Sequence, residues 1–294
     1  MLPLPQHTAG GNEVRIIDTH LHLWDPRLLR YPWLQGIDLL DRPYLIEDYR
    51  RAAAPVDIEA MVFVEGVAGP GQFEAEVRFA ETQACQDPRI RAIVAQADLA
   101  QGTAVAPVLD RLAATTPLLR GIRQNIEAQP DPDFCRRPAF IEGVRTLASR
   151  DLHFEICANH RHLPAVLEFA SQVSQVRLML DHCGKPDVRN RAMEPWRTHL
   201  RALAALPNVL CKVSGLMTEA HPAQWDEDDL RPYIDAAVEA FGFARLVIGS
   251  DWPVCLLAGT LQRWTSLLER HFESVAEFDL ERLYRRNAMS FYRL

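Results

Sequence analysis

A chain of 294 residues, 48% of them hydrophobic, is long enough to bury one large core, and α/β barrels reach this size as a single unit. Lys and Arg number 32 against 39 Asp and Glu, a formal charge of −7. That balance argues against nucleic acid or an anionic membrane as a partner, but leaves an anionic small substrate open. Six scattered cysteines without a CxxC pair, and a start without a basic-then-apolar leader, read as a reducing, cytoplasmic setting. No apolar run is long enough to span a bilayer.

Residues 1–13 read as a flexible lead-in and 14–294 as one catalytic domain. Apolar, β-rich runs recur at 15–19, 60–65, 91–96, 121–125, 153–158, 177–181, 209–213 and 246–250. Amphipathic stretches separate most of them, at 73–86, 104–115, 138–150, 163–174, 192–206, 226–241 and 260–273, and a closing helix fits 279–291. Runs such as MVFVEG and RLVIGSDW look buried on both faces, the habit of parallel strands. Eight strands alternating with helices predict an α/β fold of the (β/α)8 TIM-barrel type. The open doubly wound alternative lacks a glycine-rich phosphate turn after the first strand. One long stretch, 23–45, is rich in Pro, Trp and Tyr and leaves the first strand at the end where barrel enzymes place their sites.

The chemistry-bearing residues cluster at strand ends. In DTHLH, His20 and His22 are two apart, so strand alternation puts both on one face. Asp251, in IGSDWP, ends the eighth strand, which in a closed barrel pairs with the first. It therefore lies beside the histidines, to ligate a metal with them or to take a proton from water; as a competing reading it caps a helix. His182, in DHCGKP, ends the sixth strand and either completes a metal site or polarises a carbonyl. Lys185 meets an anionic substrate or a neighbouring carboxylate. Arg123, in GIRQN, needs a carboxylate, a ring oxygen or a protein partner, because a barrel does not bury arginine cheaply. Glu65 is a ligand, an acceptor for a substrate hydroxyl, or the partner of Arg123. Glu155 and Asn159, on one face of HFEICANH, and Trp33 and Trp252 are further expected substrate contacts; Asp181 reads as structural. Ser214 and Thr218 are hydroxyl contacts at most, since no G-x-S-x-G elbow exists.

DTHLHLWDPRLLRYPWL, GIRQ, RHLP, LDHCGKPDV, CKVSGLMTEA, GSDWPVCLLAG and the closing FYRL resemble, in order and spacing, the amidohydrolase-related sugar lactonases of the L-fuconolactonase and L-rhamnonolactonase type. Pyrone-dicarboxylate lactonase is a more distant relative. The resemblance covers 14–294 and implies a barrel that opens a small cyclic ester with water, centred on His20, His22, His182 and Asp251. It implies one divalent metal, zinc, on His20, His22 and Asp251, or none: the superfamily often carries metal, and some members of this branch work without it. The fifth-strand run FEICANH lacks a clear strand-end histidine, and the fourth-strand exit has no obvious lysine for a carboxylated bridge, so a binuclear centre is not expected. The expected partner is a small-molecule lactone, and homo-oligomers are compatible. Two other readings stay open: a metal-dependent decarboxylase of an aromatic or unsaturated acid on the same barrel, and a non-catalytic barrel that binds a sugar or a protein.

Overall fold

In a computed structural model that describes residues 15–294, eight parallel strands follow one another in sequence order: β1 (Ile16–Leu21), β2 (Ile58–Val64), β3 (Ile90–Gln96), β4 (Leu119–Arg123), β5 (His153–Ile156), β6 (Leu178–Leu180), β7 (Val209–Val213) and β8 (Leu246–Ile248). The expected lead-in lies outside the described residues. The sheet closes on itself at the β1–β8 seam. Asp251 N–H donates to His20 O at 2.9 Å, and His22 N–H donates to Trp252 O at 2.8 Å. Closure removes the sheet edges and makes sequence-distant strand ends neighbours.

All eight expected strands form. Helices at Phe73–Gln86, Ala106–Thr115, Leu163–Ser171, Trp196–Ala204, Glu227–Phe241 and Leu261–His271 fill the expected slots. One expectation is corrected. The helix expected over 138–150 ends as an α-helix at Arg145, with only a 3-10 turn at Ala148–Arg150. The expected closing helix forms, running from Glu277–Glu281 through a π segment, Arg282–Arg286, into Asn287–Tyr292. That last turn brings Tyr292 under the barrel floor, where its side chain is fully buried.

The core has two compartments. A large one lies between strands and helices, and a small one inside the barrel holds Ile17, Val62, Val94, Met179, Val247 and Tyr292. Aliphatic side chains dominate the interior on the β1–β3 side, while charged ones face in from β4 to β7. Pairing of β1 with β2 shifts register between Asp18 and Leu21. Asp18 points outward, accepting hydrogen bonds from Tyr49 Oη at 2.7 Å and Ser250 Oγ at 2.5 Å. Beyond the irregularity His20 faces in. The long segment after β1 is packed by contacts within itself and with the exit of β2: Trp24 and Tyr44 exchange backbone hydrogen bonds, and Trp33 Nε1–H donates to Gly66 O at 2.7 Å. Among the described residues no helix is long and apolar enough to cross a membrane. All six cysteines are free thiols.

Candidate active site

A cavity of about 230 Å³ opens at the C-terminal ends of the strands. Its polar floor is His22, His182, Asp251 and Arg123. Trp33, Val67, Ala128 and Val254 form apolar walls, and Asn125, Lys185 and Thr218 bring polar groups to the rim.

His20 and His22 come from β1 and its exit, with Nε2 atoms 3.1 Å apart. Asp251 Oδ1 lies 3.5 Å from His22 Nε2 and 3.8 Å from His20 Nε2. His22 Nδ1–H donates to Val64 O at 2.9 Å, which turns its Nε2 toward Asp251 and His20. His182 packs on His20 with ring centroids 4.5 Å apart, and its Nδ1 is 2.8 Å from Ser214 Oγ. The turn that carries His182 is backbone-strained: His182, Cys183 and Lys185 have φ of +52°, +54° and +42°, and Asp251 has +56°. Non-glycine residues seldom adopt this region, and such strain concentrates at functional sites.

Burial sets the electrostatics. Desolvation drives His20 well below the usual imidazole value, reinforced by Lys212, His182, His22 and Arg123, so it is neutral. Desolvation also pushes His182 down to about 4, against the pull of Asp251 and Asp181. Burial alone would raise the Asp251 carboxyl, but His182, His22 and Lys185 outweigh it and hold the group below the usual carboxylate range. The site therefore presents an ionised carboxylate beside the neutral imidazoles of His20 and His182.

Both cavity cations already have partners. Arg123 Nε–H donates to Glu65 Oε1 at 2.6 Å, and Nη1 is 3.5 Å from Asp181 Oδ2. Lys185 Nζ donates to Glu127 Oε2 at 2.5 Å, with Glu219 Oε1 4.0 Å away. Of the other residues singled out from sequence, Trp33 lines the cavity and three do not. Trp252 is packed between Tyr44 and Tyr49. Asn159 donates to Glu127 Oε1 at 3.1 Å, behind Lys185. Glu155 lies deeper, on Lys212. Sequence reasoning missed Lys212 altogether and took Asp181 as structural. Both are fully buried beneath His20, with Lys212 Nζ 2.9 Å from His20 Nδ1 and 3.0 Å from Asp181 Oδ1. The available signal was a lysine at an inward position in the otherwise apolar run VLCKV.

The donor set suits a divalent ion. His20 Nε2, His22 Nε2 and Asp251 Oδ1 are mutually close enough to share one centre, an N2O set of the kind zinc takes. The Val64 carbonyl behind His22 supplies the outer hydrogen bond that orients a ligating imidazole.

A closed (β/α)8 barrel with a carboxylate and paired imidazoles at its C-terminal mouth has the form of a barrel enzyme. The chain belongs to the amidohydrolase family, described as Amidohydrolase, which matches residues 17–294. It is 38% identical to an L-fucono-1,5-lactonase of Burkholderia multivorans over 88% of each chain. It is 32% identical to the L-fucono-1,5-lactonase of Burkholderia ambifaria over 95% of each. Its fold matches the crystal structure of a Burkholderia multivorans amidohydrolase with bound zinc, at 35% identity and a TM-score of 0.85, over 95% of this chain and 99% of that one.

Proposed function

We propose that the protein hydrolyses a neutral sugar-acid lactone, opening the ring ester with water activated by Asp251. The observation that carries this reading is an ionised Asp251 beside His22 and a neutral His182 in a small cavity, in a chain similar to two L-fucono-1,5-lactonases. Neutrality of the substrate is supported by the pairing of Arg123 and Lys185. Neither is left uncompensated to receive a substrate carboxylate, which disfavours a pyrone dicarboxylate. The apolar walls and the Asn125 and Thr218 rim suit a ring with hydroxyl substituents.

In this mechanism water sits between Asp251 and the lactone carbonyl. Asp251 accepts one proton as the water oxygen bonds to the carbonyl carbon. With Ser214 Oγ–H donating to His182 Nδ1, His182 presents Nε2–H to the oxygen that gains charge, and the Arg123 guanidinium adds positive potential beneath it. Collapse breaks the ring C–O bond, and protonated Asp251 returns its proton to the departing ring oxygen. The product hydroxy acid then ionises and releases one proton to solvent. A divalent ion bound by His20, His22 and Asp251 would polarise the carbonyl and acidify the water.

The test is a pH-indicator screen of sugar lactones and a pyrone dicarboxylate lactone, with added zinc and with chelator. Stoichiometric acid from an L-fuconolactone-type substrate is the expected result. Acid from none of the neutral sugar lactones would overturn it, and carbon dioxide from an aromatic acid would replace it with decarboxylation.

A further inference from the structure

Val67, three residues past the end of β2, has φ +61°. A β-branched residue is an outlier in the left-handed region, where its Cβ crowds the following carbonyl. Two buried carboxylates impose the conformation. Glu76 Oε1 accepts from Gly66 N–H at 3.0 Å, and Glu65 Oε2 accepts from Val67 N–H at 2.6 Å. The other oxygen of Glu65 takes Arg123 Nε–H at 2.6 Å, which ties the turn to the cavity floor. The Gly66 carbonyl accepts from Trp33 Nε1–H at 2.7 Å. Glycine would hold φ +61° without steric cost. With valine, the isopropyl group is kept in place against the preference of its own backbone. Core packing does not explain it, because the half-buried Val67 belongs to neither compartment of the core.

That group stands between two hollows. On one side is the catalytic cavity of about 230 Å³, and on the other a second hollow of about 270 Å³. Trp33 and Val67 line both, and no other described residue does. Pro32, Pro70 and Phe73 give the second hollow an apolar surface, with Gln96 as its polar member. Pro32 and Pro70 are exposed, so the second hollow lies toward solvent.

We infer that Val67, backed by Trp33, is a specificity-determining residue: it stops an apolar chain on the lactone ring from passing out of the catalytic cavity into the second hollow. The inference deepens the lactonase reading and rests on it for the substrate. A ring with a one-carbon substituent stays within the catalytic cavity. A longer alkyl chain has an apolar surface to lie on just beyond the partition, and each methylene placed there is favourable. The valine side chain therefore decides between rejecting such a chain and binding it, by shape rather than by charge. Its position is fixed by the same Glu65 that pairs with Arg123, so the size limit is built into the framework of the site.

The test uses two sugar-acid δ-lactones that differ only in the chain on the carbon bearing the ring oxygen, methyl or pentyl. Val67→Gly removes the partition and suits φ +61°; Val67→Ala removes two methyl groups and keeps Cβ. Wild type should prefer the methyl lactone by about 100-fold or more in kcat/KM. That preference should fall by about tenfold in Val67→Ala and further in Val67→Gly, chiefly through KM for the pentyl lactone. An equal loss on both lactones overturns the inference, as does a wild type that opens the pentyl lactone as readily as the methyl one. If Val67→Gly fails to fold, Val67→Ala decides. Crystal structures of wild type and Val67→Gly without substrate separate the partition from the functional reading. The two hollows should join in the variant, and a turn that closes them off again overturns the inference. If wild type opens no neutral lactone, the functional reading falls, and the joining of the hollows decides whether Val67 is the partition.

Discussion

Asp251 is held by its neighbours rather than by the surface, so its contribution can be separated from folding. Asp251→Asn keeps the shape and removes the base. The expected result is an intact circular dichroism spectrum with kcat lowered by about 10³-fold. The pH profile follows from the shifted groups. Asp251 is ionised above its depressed value, and His182 is neutral above about 4. Both required forms are therefore in place through the neutral range; the neutral His182 is lost as pH falls through about 4, and the Asp251 carboxylate only below the usual carboxylate range, rather than near 6.5 as for an exposed histidine. Measured kcat/KM on a neutral lactone, corrected for spontaneous opening, should show that acid limb; one centred near 6.5 would contradict it. The His20, His22 and Asp251 grouping was legible in the sequence because barrel closure makes the ends of the first and last strands adjacent. Lys212 was not, since a lone lysine in a strand reads as a solvated end until its acceptors, Glu155 and Asp181 on other strands, are known. Trp252 was misplaced because adjacency to Asp251 in sequence says nothing about which side of the turn the indole takes.

Among the elements, β1 shows why alternation alone is insufficient. Asp18 and His20 are two residues apart, yet one faces the outer helices and the other the interior, because the β1–β2 pairing shifts register between them. Strand spacing paired His20 with His22 correctly, but the inward face depends on that irregularity, which no residue pattern in DTHLH announces. The strands were readable because parallel, doubly buried segments are continuous apolar runs. The π segment in the closing helix was not, because a phase shift of one residue cannot be told from ordinary scatter in the short apolar patterns on either side of it. The turn after β7 makes a sharper demand. Gly215 has φ +63°, and a Cβ there would stand 2.5 Å from His182 Nδ1. Gly215→Ala should cost about 1–2 kcal/mol of stability for the backbone conformation and, by displacing His182, about 100-fold in kcat. Thermal unfolding and steady-state kinetics on one preparation check both.

For the molecule as a whole, charge runs down the barrel interior where most of its other inward side chains are aliphatic. From Asp181 and Lys212 it passes to Glu155 and ends at Tyr292 beneath the floor. Each member answers the desolvation of the next, so loss of the terminal donor is felt although it lies far from the mouth. Tyr292→Phe leaves Glu155 one hydrogen bond short and should lower unfolding stability by about 2 kcal/mol in denaturant titration. The seam at β1 and β8 has a further outcome for the assembly of activity. His20, His22, Glu65 and Arg123 precede the exposed turn at Asp151; Glu155, His182, Lys212 and Asp251 follow it. A cut in that turn divides the reaction as well as the barrel: one half keeps the imidazole pair, the other the base. Each fragment alone should be inert, and mixing them should restore turnover only as the two half-barrels reassemble, so that catalysis itself becomes the meter of their docking.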